Sequence, residues 1–212
     1  MRSKFDEQLA LLNRELTQMG AMCEEAIGLA SEALAKDSKE IAAKVSPVDT
    51  EIDHMERTIE NLCLKLLLQQ QPVAKDLRQI SAALKMITDM ERIGDQADDI
   101  AEIISYMEGH DPNHCADILQ MANEAIQMVT ESVNSYVQKD MDLAEKAIAH
   151  DDVVDEYFEK VKSHLIDMIA NQPDDGKYAL DLLMIAKYFE RIGDHAVNIA
   201  EWVVFSITGV HK

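Results

Sequence analysis

The chain has 212 residues, of which 40 are Asp or Glu and 20 are Lys or Arg, a formal net charge of −20 at pH 7. Its hydrophobic fraction of 47% is enough to bury a core, which excludes a disordered chain. So acidic a surface repels nucleic-acid phosphates and anionic lipid headgroups, so neither is an expected partner; cations, or a protein with a basic patch, are.

Only 7 Gly and 4 Pro punctuate the length, so long helices with few connections are expected in place of a sheet. Phe5, Leu9, Leu12, Leu16, Met19, Cys23, Ala26, Ala30 and Ala33 recur at steps of three and four, the period of one buried helical face. Asp37 and Ser38, with Glu40 just inside, read as the N-cap of a second helix from about Lys39 to Gln70, kinked or restarted near Pro47. Pro72 closes it, and Asp76 marks the start of a third helix reaching about Met107. Gly109, His110, Asp111 and Pro112 break the chain. Helices over roughly Asn113–Gln138, Asp140–Asn171 and Asp174–Ile207 follow, the last after a stop at Pro173. The expected fold is all-α: six long helices in two sets of three, divided into residues 1–108 and 109–212.

Cys23, Cys63 and Cys115 are odd in number and far apart, with no CxxC pair, so they read as reduced core residues. The N-terminal segment breaks its apolar residues with charges and does not read as a signal peptide. No apolar run approaches the ~18 residues of a membrane span, so a soluble, cytoplasmic protein is expected.

The two halves are related. Glu91–Glu102 (ERIGDQADDIAE) aligns without gaps on Glu190–Glu201 (ERIGDHAVNIAE), matching at nine of twelve positions. Upstream, Asp49-Thr-Glu-Ile-Asp53 matches Asp151-Asp-Val-Val-Asp155. A duplicated three-helix hairpin explains both.

On a helical wheel with Glu91 at 0°, Asp95, Asp98, Asp99 and Glu102 fall within about 80° of it, while Ile93, Ala97, Ile100 and Ala101 lie opposite. Glu190, Asp194, Asn198 and Glu201 repeat the stripe, with Ile192, Ala196 and Ile199 behind it. Asp49, Asp53, Glu56 and Glu60 share one arc of the preceding helix, away from Met55, Ile59 and Leu62, and Asp151, Asp155 and Glu159 are their duplicates. Solvated helix faces usually mix signs, because a like-charge pair at i,i+4 loses roughly 0.2–0.5 kcal/mol. Here like charges stack in both copies with almost no Lys or Arg between them, which points to bound cations. The donors are oxygens, suiting Mg, Ca, Mn or oxygen-ligated iron, with zinc possible, at a surface site. The second copy carries less charge, with Val197 and Asn198 in place of Asp98 and Asp99. His195 lies about 140° from Glu190, off the stripe, and reads as a structural or rim histidine.

The doubled ERIGD motif, the paired Asp-xxx-Asp segments and the six-helix length resemble the PhoU family of bacterial phosphate-uptake regulators. The resemblance implies tandem three-helix bundles binding metal ions, iron or zinc, at Asp49–Asp53 and Glu91–Asp95 in the first repeat and Asp151–Asp155 and Glu190–Asp194 in the second. Asp99 and Asn198 would extend each stripe by one turn. It further implies a non-enzymatic negative regulator linking the ATPase subunit of a phosphate ABC transporter to the sensor histidine kinase of the phosphate regulon. A homodimer, held at the inner membrane through protein partners, goes with that role. Trp202 and Phe205 could serve a dimer contact, although core burial is the first expectation for each.

A ferritin-like di-iron protein is the main rival, but it needs Glu-x-x-His on two helices. Glu51–His54 is the one such pair on a helix, and it flanks the stripe. Neither GxxxxGK[ST], GxGxxG nor GxSxG occurs, so no phosphate-cradling loop or nucleophile elbow is expected.

Overall fold

The computed structural model of the chain describes residues 2–69, 73–107 and 114–210. Among the described residues every regular element is helical: α1 (Arg2–Lys36), α2 (Lys39–Ala42), α3 (Val45–Gln69), α4 (Ala74–Tyr106), α5 (Ala116–Gln138), α6 (Met141–Asn171) and α7 (Gly176–Thr208). A 3₁₀ turn, Pro173–Asp175, leads into α7. The expected stops at Pro72 and at Gly109–Pro112, with Gln70 and Asn113, lie outside the described residues.

Local chemistry sets the helix ends. Ser38 accepts the Ile41 N–H at 3.3 Å and is the N-cap, while Asp37 takes the left-handed conformation, φ 47°, as α1 ends. The restart expected near Pro47 falls earlier, between Ala42 and Val45, because Pro47 sits in the first turn of α3, where a missing N–H does no harm. Asp140 caps α6 by accepting the Leu143 N–H at 3.0 Å, directly after Lys139 closes α5 at φ 58°.

α1, α3 and α4 pack as one three-helix bundle and α5, α6 and α7 as another. Their broadest shared contact is α4 against α7, and α1 against α5 joins them a second time. One apolar core therefore runs through both, from Leu12, Leu16 and Met86 to Ile185, Phe189 and Ile192. Buried polar groups tie the helices across it: Ser132 donates to the Ala196 carbonyl at 2.8 Å, and Tyr136 to the Gln79 carbonyl at 2.9 Å.

Cys23, Cys63 and Cys115 are fully buried, and burial pushes the Cys23 and Cys63 thiols up, so they act as core residues and not as nucleophiles. Trp202 and Phe205 correct the expectation of core burial. Both are half-buried, edge-on to each other with centroids 5.7 Å apart, and Lys85 lies 5.9 Å above the Trp202 ring. Among the described residues no helix is long and apolar enough to cross a membrane.

Phe189 has no exposed surface and sits in the helix that touches both bundles. Phe189→Ala should therefore destabilise the protein by about 3–5 kcal/mol in urea unfolding. A change under ~1 kcal/mol would mean that the core collapses around the gap and does not depend on this ring.

Candidate metal centres on two helical hairpins

Each hairpin, α3–α4 and α6–α7, sets its Asp-xxx-Asp segment against the ERIGD segment. The contact is made at the motif glycine. A Cβ built on Gly94 would lie 2.6 Å from Asp49 Oδ1, closer than such atoms come, and a tight 3.1 Å from Ile52 Cδ1. On Gly193 it would lie 3.3 Å from Asp151 Oδ1. The glycine thus admits a carboxylate from the neighbouring helix onto its own backbone, twice, at equivalent places.

That approach removes water from the carboxylate. Asp49 Oδ1 is buried with no hydrogen-bond partner. Burial first, then the charges of Asp95, Asp53, Asp98 and Glu91, push Asp49 up to about 6. Asp151 is likewise pushed up to about 6, by burial and then by Asp155, Asp194 and Glu190. Around Asp49, Glu91 is raised by burial and by Asp95, and Glu56 by burial and by Glu60 and Asp53. In the second copy Asp155 and Asp194 shift upward too, through desolvation and then Glu190. Asp49, Asp53, Glu91 and Asp95 are therefore brought together across one hairpin, and Asp151, Asp155, Glu190 and Asp194 across the other. Asp49, Asp53, Glu91, Asp95, Asp151 and Glu190 are half-buried at the hairpin boundary, while Asp155 and Asp194 are exposed, nearer the surface position that the stripes suggested.

The stripes are also less bare of cations than their spacing suggests. Arg92 reaches Asp95 at 2.8 Å and Glu91 at 3.5 Å, and Lys187 pairs with Glu190. Both are long side chains entering from just beside the stripe, so the wheel alone misses them. An open groove of about 810 Å³ runs beside the second cluster, lined by Asp152, Asp155, Glu156, Glu159, Lys160 and Ser163.

Two candidate ligands are directed elsewhere. Asn198 donates its amide to Asp89 Oδ1 at 3.0 Å, and the Tyr188 hydroxyl stands beside Asp99. Both contacts cross from α4 to α7. Asn198 and Asp99 occupy matching positions in the two copies, as do Tyr188 and Asp89, so the contacts are one interaction repeated with sides exchanged. His195 joins them, its Nδ1 lying 2.9 Å from Asp89 Oδ1, in agreement with a structural histidine. Asp89 itself was not legible, because it lies about 160° from Glu91 on the wheel. Gly94 and Gly193 carried a usable signal: a glycine fixed inside both copies of a long helical motif marks close backbone approach.

Among the described residues no group of three or more donors is already gathered around one point. The donor set nevertheless fits a hard cation: carboxylate oxygens from two helices, one of them orphaned, with fewer positive groups than negative ones. Glu51 and His54 are exposed and approach only each other, at 3.7 Å, so they do not build a di-iron site.

A tandem repeat of helical bundles with a carboxylate cluster on each hairpin defines the class of this protein. The chain matches the PhoU domain at residues 16–104 and again at residues 118–203, and it belongs to the PhoU family. It is 35% identical over 210 residues to a phosphate-specific transport system accessory protein PhoU homolog of Clostridium acetobutylicum, covering 98% of this chain and 96% of that one. A homolog of the same name from Pseudomonas aeruginosa is 31% identical, over 97% of this chain and 86% of that one. A crystal structure of PhoU from Pseudomonas aeruginosa superimposes with a TM-score of 0.92 at 31% identity, over 97% of this chain and 100% of that one. The phosphate transport system regulatory protein PhoU from Streptococcus pneumoniae has the same fold, with a TM-score of 0.88 at 24% identity, over 98% and 99% of the chains.

Two tests follow from this geometry. Gly94→Ala should destabilise the protein by about 1–3 kcal/mol despite alanine's better helix propensity, and Gly193→Ala by less, compared in parallel urea titrations. Equal effects would remove the special status of the Asp49 contact. The second concerns pH. An acid whose pKa is raised on folding binds its proton more tightly in the folded state, so its ionisation opposes folding. Between the unfolded value of about 4 and the folded value of about 6, metal-free protein should lose stability as pH rises. Asp49→Asn with Asp151→Asn should flatten that slope in melting curves taken in chelator; an unchanged slope would assign the dependence to other groups.

Proposed function

We propose that this chain is a metal-binding accessory protein of phosphate transport that works by docking and not by catalysis. The observation that carries the metal reading is the duplicated approach of a carboxylate, Asp49 or Asp151, to a motif glycine, with the Asp49 oxygen buried and without a partner. Asp49, Asp53, Glu91 and Asp95 would hold one metal group and Asp151, Asp155, Glu190 and Asp194 the other. Iron or zinc is the choice that the family resemblance favours, with Mg or Mn also compatible with oxygen donors. A cation there would neutralise the repulsion within each cluster and clamp the two helices of its hairpin. Asp99 and Asn198, engaged between α4 and α7, are left out of the ligand set.

The transport role is supported by full-length relatives named as accessory proteins of phosphate-specific transport. On the family resemblance, the chain couples the ATPase subunit of the phosphate ABC transporter to a sensor histidine kinase. It holds the kinase off and limits uptake when phosphate is plentiful, acting as a homodimer. With a net charge of −20, it would reach an anionic membrane through these proteins and not through lipid.

Chelator should lower the melting temperature and added metal restore it, since a ligand of the folded state stabilises by mass action. Glu91→Gln with Asp95→Asn should reduce bound metal and blunt the chelator effect; unchanged metal content would sink the assignment of that hairpin. Deleting the gene should leave the phosphate regulon switched on in phosphate-rich medium, read with a reporter. If regulon and uptake were both unchanged, the regulatory reading would fall while the fold and the metal test stood.

A further inference from the structure

At the end of the molecule where α4 begins and α5 and α7 finish there is a cavity of about 240 Å³, lined by Lys75, Gln79, Tyr136, Lys139, Ser206 and Ile207. Two of only 20 basic residues meet there, in a chain with twice as many acids. The acidic neighbour of each is committed elsewhere. Asp76, beside Lys75, accepts the Val73 N–H at 3.3 Å, and Asp140, beside Lys139, accepts the Leu143 N–H at 3.0 Å. Arg78, one residue before Gln79, packs against Gly209 and brings a third cation to this end, its Nε buried without a partner.

The polar groups of the wall divide into occupied and available. Tyr136 donates to the Gln79 carbonyl at 2.9 Å, and Ser206 donates to the Val203 carbonyl at 2.7 Å. Gln79 is only 6% exposed, and among the described residues its carboxamide makes no protein hydrogen bond while keeping its contact with solvent at the cavity wall. An amide that meets only solvent in a cavity wall is available to a ligand that replaces that water. The available donors are thus two ammonium groups and one carboxamide, at the positive end of the 33-residue helix α4.

We propose that this cavity binds a small phosphate-bearing anion, held by Lys75, Lys139 and the Gln79 carboxamide. Lysine binds phosphate as a point charge, and the carboxamide fixes one oxygen by donating to it. The volume lies below the ~300 Å³ at which drug-sized pockets begin, which suits inorganic phosphate or a short phosphomonoester and excludes a nucleotide. The site shares no residue with the carboxylate clusters and needs no metal, so it stands or falls apart from the proposed function.

The test is a calorimetric titration of inorganic phosphate into the full chain in excess chelator, where phosphate bridged by metal at the clusters is suppressed. Binding and a rise in melting temperature are expected. Lys75→Met with Lys139→Asn, the latter chosen because asparagine tolerates the left-handed conformation, should weaken binding about tenfold or more. Absence of binding up to roughly 10 mM, or equal binding by the double variant, would overturn the proposal. If the double variant unfolds, Gln79→Glu, which puts a carboxylate into the same wall, should abolish binding with helix content retained; persistence of binding there would overturn it. A parallel titration with glycerol 3-phosphate separates the two sources: tighter binding than phosphate assigns the site to a phosphomonoester, and weaker binding assigns it to the free ion.

Discussion

Two helices come close only where one of them presents no side chain, and in this protein the side chain filling that gap is a carboxylate. At Gly94 the backbone of α4 is open to Asp49, so closely that a single methyl group would collide with it. The approach that tightens the hairpin also takes water from the acid, and glycine has no side chain to offer in exchange. A buried carboxylate so placed has two routes to neutrality, a proton or a metal ion, and both act at the same oxygen. On the proposed metal reading, acidity and metal supply would compete for one position.

The second constraint is the crossing of α4 and α7. Asp99, Asn198, His195 and Asp89 lie between about 80° and 160° on the motif wheel, on the side of each helix that meets this crossing, which explains why Asp99, Asn198 and His195 share a fate. The crossing joins the two hairpins through charged and polar groups, while the core beneath joins them through apolar ones. A rearrangement of α4 in one hairpin must therefore be met by α7 in the other, since Asp89 is bonded to His195 and Asn198 together.

Much of this was legible in the residues. Spacing of three and four located the helices, the duplicated motif gave the two-bundle plan, and the wheel gathered Asp49, Asp53, Glu91 and Asp95 on facing arcs. What a wheel cannot contain is the neighbour. Arg92 and Lys187 reach forward along their own helices by conformations that angular position does not fix. Asp89 gains its meaning only from α7. The half-burial of Asp49 and Asp151 depends on interhelical distance, which glycine controls and charge spacing does not. The sixfold-lined cavity near Lys75 was invisible for the same reason: its residues come from the ends of three helices.

The exchanged contacts of the α4–α7 crossing also speak to the origin of the double-length chain. A half-length ancestor with one such helix would pair it with a second copy across a two-fold axis, and an isologous face must complement itself. With the present α4 on both sides, Asp89 would oppose Asp99, acid against acid. Fusion lifts that requirement, because each side of the axis then answers to its own codons. One side carries acids at 89 and 99, and the other sets the Asn198 amide and the Tyr188 hydroxyl against them. The two halves are thus no longer interchangeable: the first has specialised as acceptor and the second as donor, a division of labour open only to a covalently joined pair.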